Sequence, residues 1–217
     1  MKRTGKRTLE FPSKPAIIGF ASIAGKKEAE GPLGNSFDYT SADTTFGESS
    51  WEKAESFMQR EALRRAAEKA KVGTGELDFV FAGDLINQCI ASAYGLREVQ
   101  APFVGLYGAC STMAESLMLA ALAVDGGYAS HAAGVTSSHF ATAERQYRFP
   151  LEYGGQRTPT AQWTVTGAGA AILAPAGRGP RVTRACAGKI VDYKVRDVNN
   201  MGAAMAPAMR MQTQIPV

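Results

Sequence analysis

The sequence predicts an α/β fold: a mainly parallel sheet with one apolar helix buried in its middle. Three observations carry this. Short apolar runs at 15–21, 76–82, 101–107 and 131–135 alternate with helical stretches at 49–71, 87–98 and 110–125, the pattern of βαβ units. After Cys110, the residues Met113, Leu117, Ala120, Ala121 and Val124 recur at helical spacing in a segment apolar nearly all round, which marks a buried helix. Polar residues close three of the strands: Asp84, the turn at Cys110, and Ser137-Ser138-His139. In parallel sheets ligands bind at the carboxyl ends of strands.

In chain order, Pro15–Ala21 is the first strand, and 25–48 is a long loop rich in Gly, Pro, Asp, Ser and Thr, anchored by Leu33 and Phe37. Ser49 and Glu52 have capping-box spacing for a helix running to Lys71. Trp51, Ala54, Met58, Ala62 and Ala66 mark its buried face, Glu61 and Arg65 an exposed ion pair, and Gly73 its end. Glu76–Ala82 is a strand, and Asn87–Glu98 a second helix. Ala101–Tyr107 reads as a short buried strand that turns sharply at Gly108 into the apolar helix, which Gly126-Gly127 stops. His131–Val135 follows, then a loop over 140–160, strands at 161–174 and 181–192, and a Met-, Ala- and Pro-rich tail from Asn199. The Gly167-Ala-Gly-Ala-Ala run is no phosphate loop, because no Gly-Lys-Ser/Thr follows; small residues there permit close packing.

Composition excludes several classes. The chain has 217 residues, 45% of them hydrophobic, enough for a real core. Three cysteines without paired spacing argue against a disulfide framework, and two histidines argue against a zinc site. Residues 1–14 are basic without an apolar run, so they are not a secretory signal, and no stretch is apolar enough to cross a bilayer. A soluble or peripheral protein is expected. The net charge of +4 divides unevenly. Residues 1–14 hold five basic and one acidic residue, 175–217 seven and two, and 15–174 twelve and seventeen. Basic ends on an acidic body are a poor nucleic-acid footprint, so no nucleic-acid partner is expected; they suit an anionic membrane or partner better, or plain solvation.

Cys110 sits where a strand turns into a helix, a geometry like the elbow that presents a nucleophile. A helix N-terminus there favours a thiolate or binds an anion. Cys89 and Cys186 lack that setting. Asp84 can orient a ligand or cap the following helix. His139 can face an anion as a cation, carry a proton, or be bonded inside a loop. Arg145 and Arg148 can clamp a carboxylate or simply be solvated.

Several segments together resemble the stage V sporulation protein AD family. They are Gly31-Pro-Leu-Gly, Ala82-Gly-Asp-Leu-Ile-Asn-Gln, Tyr107-Gly-Ala-Cys-Ser-Thr, Ser137-Ser-His, Ala141-Thr-Ala-Glu-Arg-Gln-Tyr-Arg-Phe-Pro, Glu152-Tyr-Gly-Gly-Gln and Met201-Gly-Ala-Ala-Met-Ala-Pro. That family is similar in fold to thiolases and ketoacyl synthases, which consist of two like halves. The resemblance implies that 1–180 is the first half and 181–217 the opening of the second. It implies binding of dipicolinic acid, alone or with calcium, for uptake into the developing spore, and a role in germination. It further implies partnership with other stage V transport proteins at the spore inner membrane, and a homodimer when full length. The site it implies comprises Asp84, Cys110, Ser111, Ser137 and His139, with no cofactor and no protein-held metal. In ketoacyl synthases the cysteine's His and Asn partners come from the second half. A binder is therefore expected over an enzyme, with a Cys110-dependent acyltransferase as the alternative.

Overall fold

A computed structural model of the chain describes residues 2–147, 164–197, 200, 202–203 and 205–207. Two sheets are formed. The smaller pairs β1 (Lys2–Thr4), β2 (Thr8–Glu10) and β9 (Arg184–Cys186), all antiparallel. The larger has six strands in the order β4-β3-β8-β7-β5-β6. These are β3 (Ala16–Ala24), β4 (Tyr39–Thr40), β5 (Phe79–Gly83), β6 (Phe103–Leu106), β7 (Ala132–Ser138) and β8 (Gly167–Ala174).

The sheet is mixed. β7, β5 and β6 are mutually parallel, and β4 is parallel to β3, but β8 runs antiparallel to both neighbours. One core packs α2 (Trp51–Ala70) and Leu96, from the end of α3 (Ile90–Gly95), against one face of the sheet. A second packs α4 (Thr112–Asp125) against the other, with Leu9, Val182 and Ala185 of the small sheet at its margin. Gly134 lets α4 approach, since a Cβ there would lie 2.8 Å from Ser116 Oγ. On α4, Ser116, Ala120, Ala121 and Val124 are buried, while Met113 and Leu117 on the same stripe, and Leu122 opposite them, are only half-buried.

Several expectations change in detail. The helix cap is Ser50, whose hydroxyl accepts from Lys53 N–H, not Ser49; the helix ends at Lys71 in a left-handed turn before Gly73 is reached. Trp51, in the first turn, is 40% exposed and packs against the rings of His139 and Phe140 rather than in the sheet's core. The loop over 25–48 holds a short helix α1 (Lys26–Ala29) and β4. The expected helix at 87–98 is a 3-10 turn (Asn87–Cys89) followed by α3, broken where Gln88 and Cys89 take positive φ. β6 is not buried: it is the sheet's edge, with Phe103 and Val104 exposed. The first part of the expected 140–160 loop is a helix, α5 (Phe140–Tyr147). The 181–192 strand shrinks to an isolated bridge at Arg181 and to β9, which pairs with β2. Arg148, the 149–160 part of the 140–160 loop, residues 161–163 of the strand expected at 161–174, and the tail's Met201 lie outside the described residues.

Candidate functional site

β5 and β6 end level, and β7 continues two residues past them, because Gly83 is paired with Leu106 on one side and with Thr136 on the other. Asp84, the Tyr107–Ser111 turn and Ser137, near the end of β7, therefore lie along one rim, as the sequence implied. Their side chains then divide into an exposed and a buried set.

The exposed set is the turn. Leu106 ends β6, Ala109 takes a left-handed φ of 49°, and Ala109–Ser111 form a 3-10 turn opening directly into α4. The left-handed position is Ala109 rather than Gly108, whose φ is −102°. Ser111 Oγ donates to Gly108 O (2.7 Å), so it does not cap α4, and the first N–H groups of that 14-residue helix have no side-chain acceptor at Ser111. Thr112 N–H bonds to Ala109 O, and the N–H groups that follow it in the first turn, which also holds Glu115, carry the positive end of the helix dipole. Cys110 is exposed, while Cys89 is buried with its thiol donating to Leu106 O (3.1 Å) and Cys186 is intermediate. Burial, and secondarily the Asp84 charge, push the Cys89 thiol above its ordinary pKa.

The buried set forms a continuous hydrogen-bonded chain. Asp84, 1% exposed, accepts from Ile86 N–H (2.8 Å), Ser92 N–H (2.8 Å) and Ser92 Oγ (2.6 Å). It fastens the 84–92 loop and α3, the capping alternative. Gln59 Nε2 donates to Ser92 Oγ (2.8 Å) and Ser137 Oγ (2.8 Å), and lies 3.2 Å from Gly83 O. Ser137 Oγ donates to Glu55 Oε1 (2.8 Å), and Thr142 Oγ1 lies 2.6 Å from Glu55 Oε2. Glu55 and Gln59 have no exposed surface. Burial is the main reason that the Glu55 carboxyl rises to about 7; the hydroxyls of Thr142 and Ser137 pull it down, and the Asp84 charge pushes it up. The proton count agrees. Thr142 has one hydroxyl proton but faces both Glu55 Oε2 and His139 O (3.0 Å). With the proton on Glu55, the acid donates to Thr142 and Thr142 donates onward, so every polar hydrogen has an acceptor.

His139 has no exposed surface either. Ala141 N–H donates to its Nδ1 (3.2 Å), so the proton lies on Nε2, which donates to Thr44 O (2.7 Å). Burial outweighs the Thr44 hydrogen bond and the Glu28 charge and lowers its pKa below 6.5. The ring is a neutral bridge from the β7–α5 junction to the long loop, and it clusters with Trp51 and Phe140, which also touch each other. Arg145 pairs with Glu52. Glu55, Gln59, Ser92 and Thr142 were not singled out in the sequence. The available signal was the spacing 55, 59, 62, 66, which continues the apolar stripe of α2 with two polar residues. Among the described residues no group of three or more His, Cys, Asp or Glu could hold a metal, and no helix is long and apolar enough to cross a membrane.

The family model for stage V sporulation protein AD matches residues 5–214. The chain belongs to that family. It is 42% identical to stage V sporulation protein AD of Bacillus subtilis (strain 168) over 208 residues, 96% of this chain but 62% of the relative, so it spans under two thirds of that protein's length. Among solved structures it is similar to acetamide-bound OleA of Xanthomonas campestris (TM-score 0.50, 14% identity, covering 76% of this chain and 59% of that one). The priming β-ketosynthase of the R1128 polyketide pathway is matched at TM-score 0.49 and 21% identity, over 82% of this chain and 53% of that one. The fold is thiolase-like, and the chain is a sporulation protein AD family member on that scaffold.

Proposed function

We propose that this chain binds dipicolinic acid, alone or as its calcium complex, for uptake into the developing spore, with a role in germination. The supporting observation is the open N-terminus of α4 behind the exposed Cys110–Ser111 turn, on the rim where three parallel strands end. A flat dianion is matched there by the N–H donors of the helix's first turn. Asp84, Ser137 and His139 would act from behind, holding the loops that frame the turn. The chain would work beside other stage V transport proteins at the spore inner membrane, with the second half beginning near 181. The full-length protein would be a homodimer, for which the unpaired β6 edge is the supporting feature.

Calorimetric titration with dipicolinate, with and without calcium, tests this on a chain carrying the second half. Asp84→Ala and His139→Ala should each weaken binding about tenfold, because the loops that these buried side chains hold would no longer frame the turn. Wild-type affinity in both, and in Cys110→Ala, would remove the site. The exposed thiol at a helix N-terminus also favours a second reading, an acyltransferase using Cys110 on a coenzyme A thioester. Acetyl-coenzyme A turnover that disappears in Cys110→Ser while dipicolinate binding persists would establish it.

A further inference from the structure

The two basic ends of the sequence meet in one place. β1 and β2 come from the N-terminal end, and β9 from residue 184 onward pairs with β2. Residues 2–14 and 176–197 together hold eleven Lys and Arg against three acids, Glu10, Asp192 and Asp197. All eleven basic residues are exposed.

Register sorts the small sheet into two faces. Leu9 and Ala185 are directly paired and both pack on the α4 core, so that face is turned inward. The opposite face carries the row Lys2, Glu10, Arg184. A single carboxylate stands between two cations, and Arg184 reaches it only at 4.0 Å. Lys6 and Arg7 lie exposed in the turn between β1 and β2, and Lys189, Lys194 and Arg196 lie exposed in the segment that follows β9. Interleaved with these last three are Ile190, which is fully exposed, and Val191, Tyr193 and Val195, each 37–40% exposed.

We propose that the sheet β1-β2-β9, with residues 187–196, is a docking face for an anionic lipid bilayer. It rests on the reading that the chain works at a membrane, and names the face that does so. Basic side chains alone would suit any polyanion. The aliphatic side chains of Ile190, Val191 and Val195 offer a nucleic-acid strand neither charge nor a stacking surface, but with Tyr193 they suit the headgroup region, where apolar tips enter and Lys and Arg stems snorkel. The body left behind is net acidic, thirteen basic against seventeen acidic residues over the rest of the chain. An anionic surface would therefore orient the molecule with this sheet toward it.

Flotation with vesicles of phosphatidylglycerol and phosphatidylcholine, against phosphatidylcholine alone, tests the face on the whole chain. Binding to the anionic vesicles only, weakened severalfold by raising salt from 0.1 to 0.5 M (about a threefold shorter Debye length at 1 than at 0.1 M), is expected. Each basic residue near such a surface contributes about 1 kcal/mol, roughly fivefold in partitioning. The variant Lys2→Gln, Lys6→Gln, Arg7→Gln, Lys189→Gln should therefore bind at least about fiftyfold more weakly. An equal charge loss at Lys53, Arg60, Lys71 and Arg97, on α2 and after α3, should leave partitioning within about threefold. If the first variant misfolds by circular dichroism, Lys6→Gln with Arg7→Gln alone should still cost at least tenfold. Equal losses in both sets would overturn the face and leave membrane binding standing as a net-charge effect. No vesicle binding by the wild type would overturn both, without touching dipicolinate titration. Tighter binding to polyuridylate than to vesicles at the same salt would also overturn it.

Discussion

Glu55→Gln should remove most of the pH dependence of folding between pH 5 and pH 8. Glu55 is wholly buried, with a carboxyl raised from 4.5 to about 7. Among the described residues no ion pair involves it, and the charged group acting on it is another carboxylate, Asp84. Below the unfolded value both states are protonated and stability is complete. Between about 4.5 and 7 the native state holds a proton that the unfolded chain has released, so stability falls as pH rises and the loss is complete above the folded value. At 1.36 kcal/mol per pKa unit the whole loss is about 3 kcal/mol. Gln preserves the bonding of the protonated acid, accepting from Ser137 and donating to Thr142, but does not titrate. Urea midpoints at pH 5, 6, 7 and 8 give the difference between variant and wild type. That difference should grow in favour of Gln by about 3 kcal/mol across the series. His139, whose pKa is lowered, contributes stability that is lost as pH falls through 6.5 toward its folded value, and this term cancels in the comparison. Parallel curves for the two proteins would refute the buried proton and the network built on it.

Cys110 should react with iodoacetamide much faster than Cys89, which is buried and pushed toward the thiol form, and faster than half-buried Cys186; equal rates in native protein by mass spectrometry would remove its special setting. Asp84→Ala strands two N–H groups and one hydroxyl and should cost about 3 kcal/mol in urea unfolding, with Asp84→Asn milder because it still accepts. A loss below about 1 kcal/mol would show that water replaces the carboxylate. The half-buried side of α4 and the β6 edge should make this chain self-associate, and Val104→Lys should shift its sedimentation toward monomer. A wild type that sediments as a monomer at high concentration would contradict this.

The elements that bury apolar stripes were legible in the sequence. Ala54, Met58, Ala62 and Ala66 placed α2, the Met113–Val124 spacing placed α4, and Phe79-Val-Phe-Ala placed β5. Exposure was harder to read. Phe103-Val-Gly-Leu has the composition of a central strand, and only pairing shows that it is an edge. β1, β2 and β9 are three residues each, too short for a period to show. Of the candidate site, the rim was legible because strand ends follow from strand order. The side chains' roles were not. Asp84, Ser137 and His139 are polar residues whose partners lie up to 95 positions away, as with His139 and Thr44. Glu55 and Gln59 look like ordinary helix-surface residues until α2 is laid on the sheet.

The two margins of the six-stranded sheet are unequal. At one end β4 covers only Ile23 and Ala24 of β3, and Pro180 and Val182 bond to the backbone of Ile17 and Pro15, so the outer edge of β3 is capped at both ends; at the other, β6 has no strand beside its four residues among the described residues. A sheet obstructed on one side has a valence of one. Two copies joined edge to edge use up the open margin of each, and the outer margins of the joined sheet are then the capped β3 edges. Growth by strand addition stops at the pair, so the exposed apolar edge is compatible with a terminated assembly rather than an endless fibre.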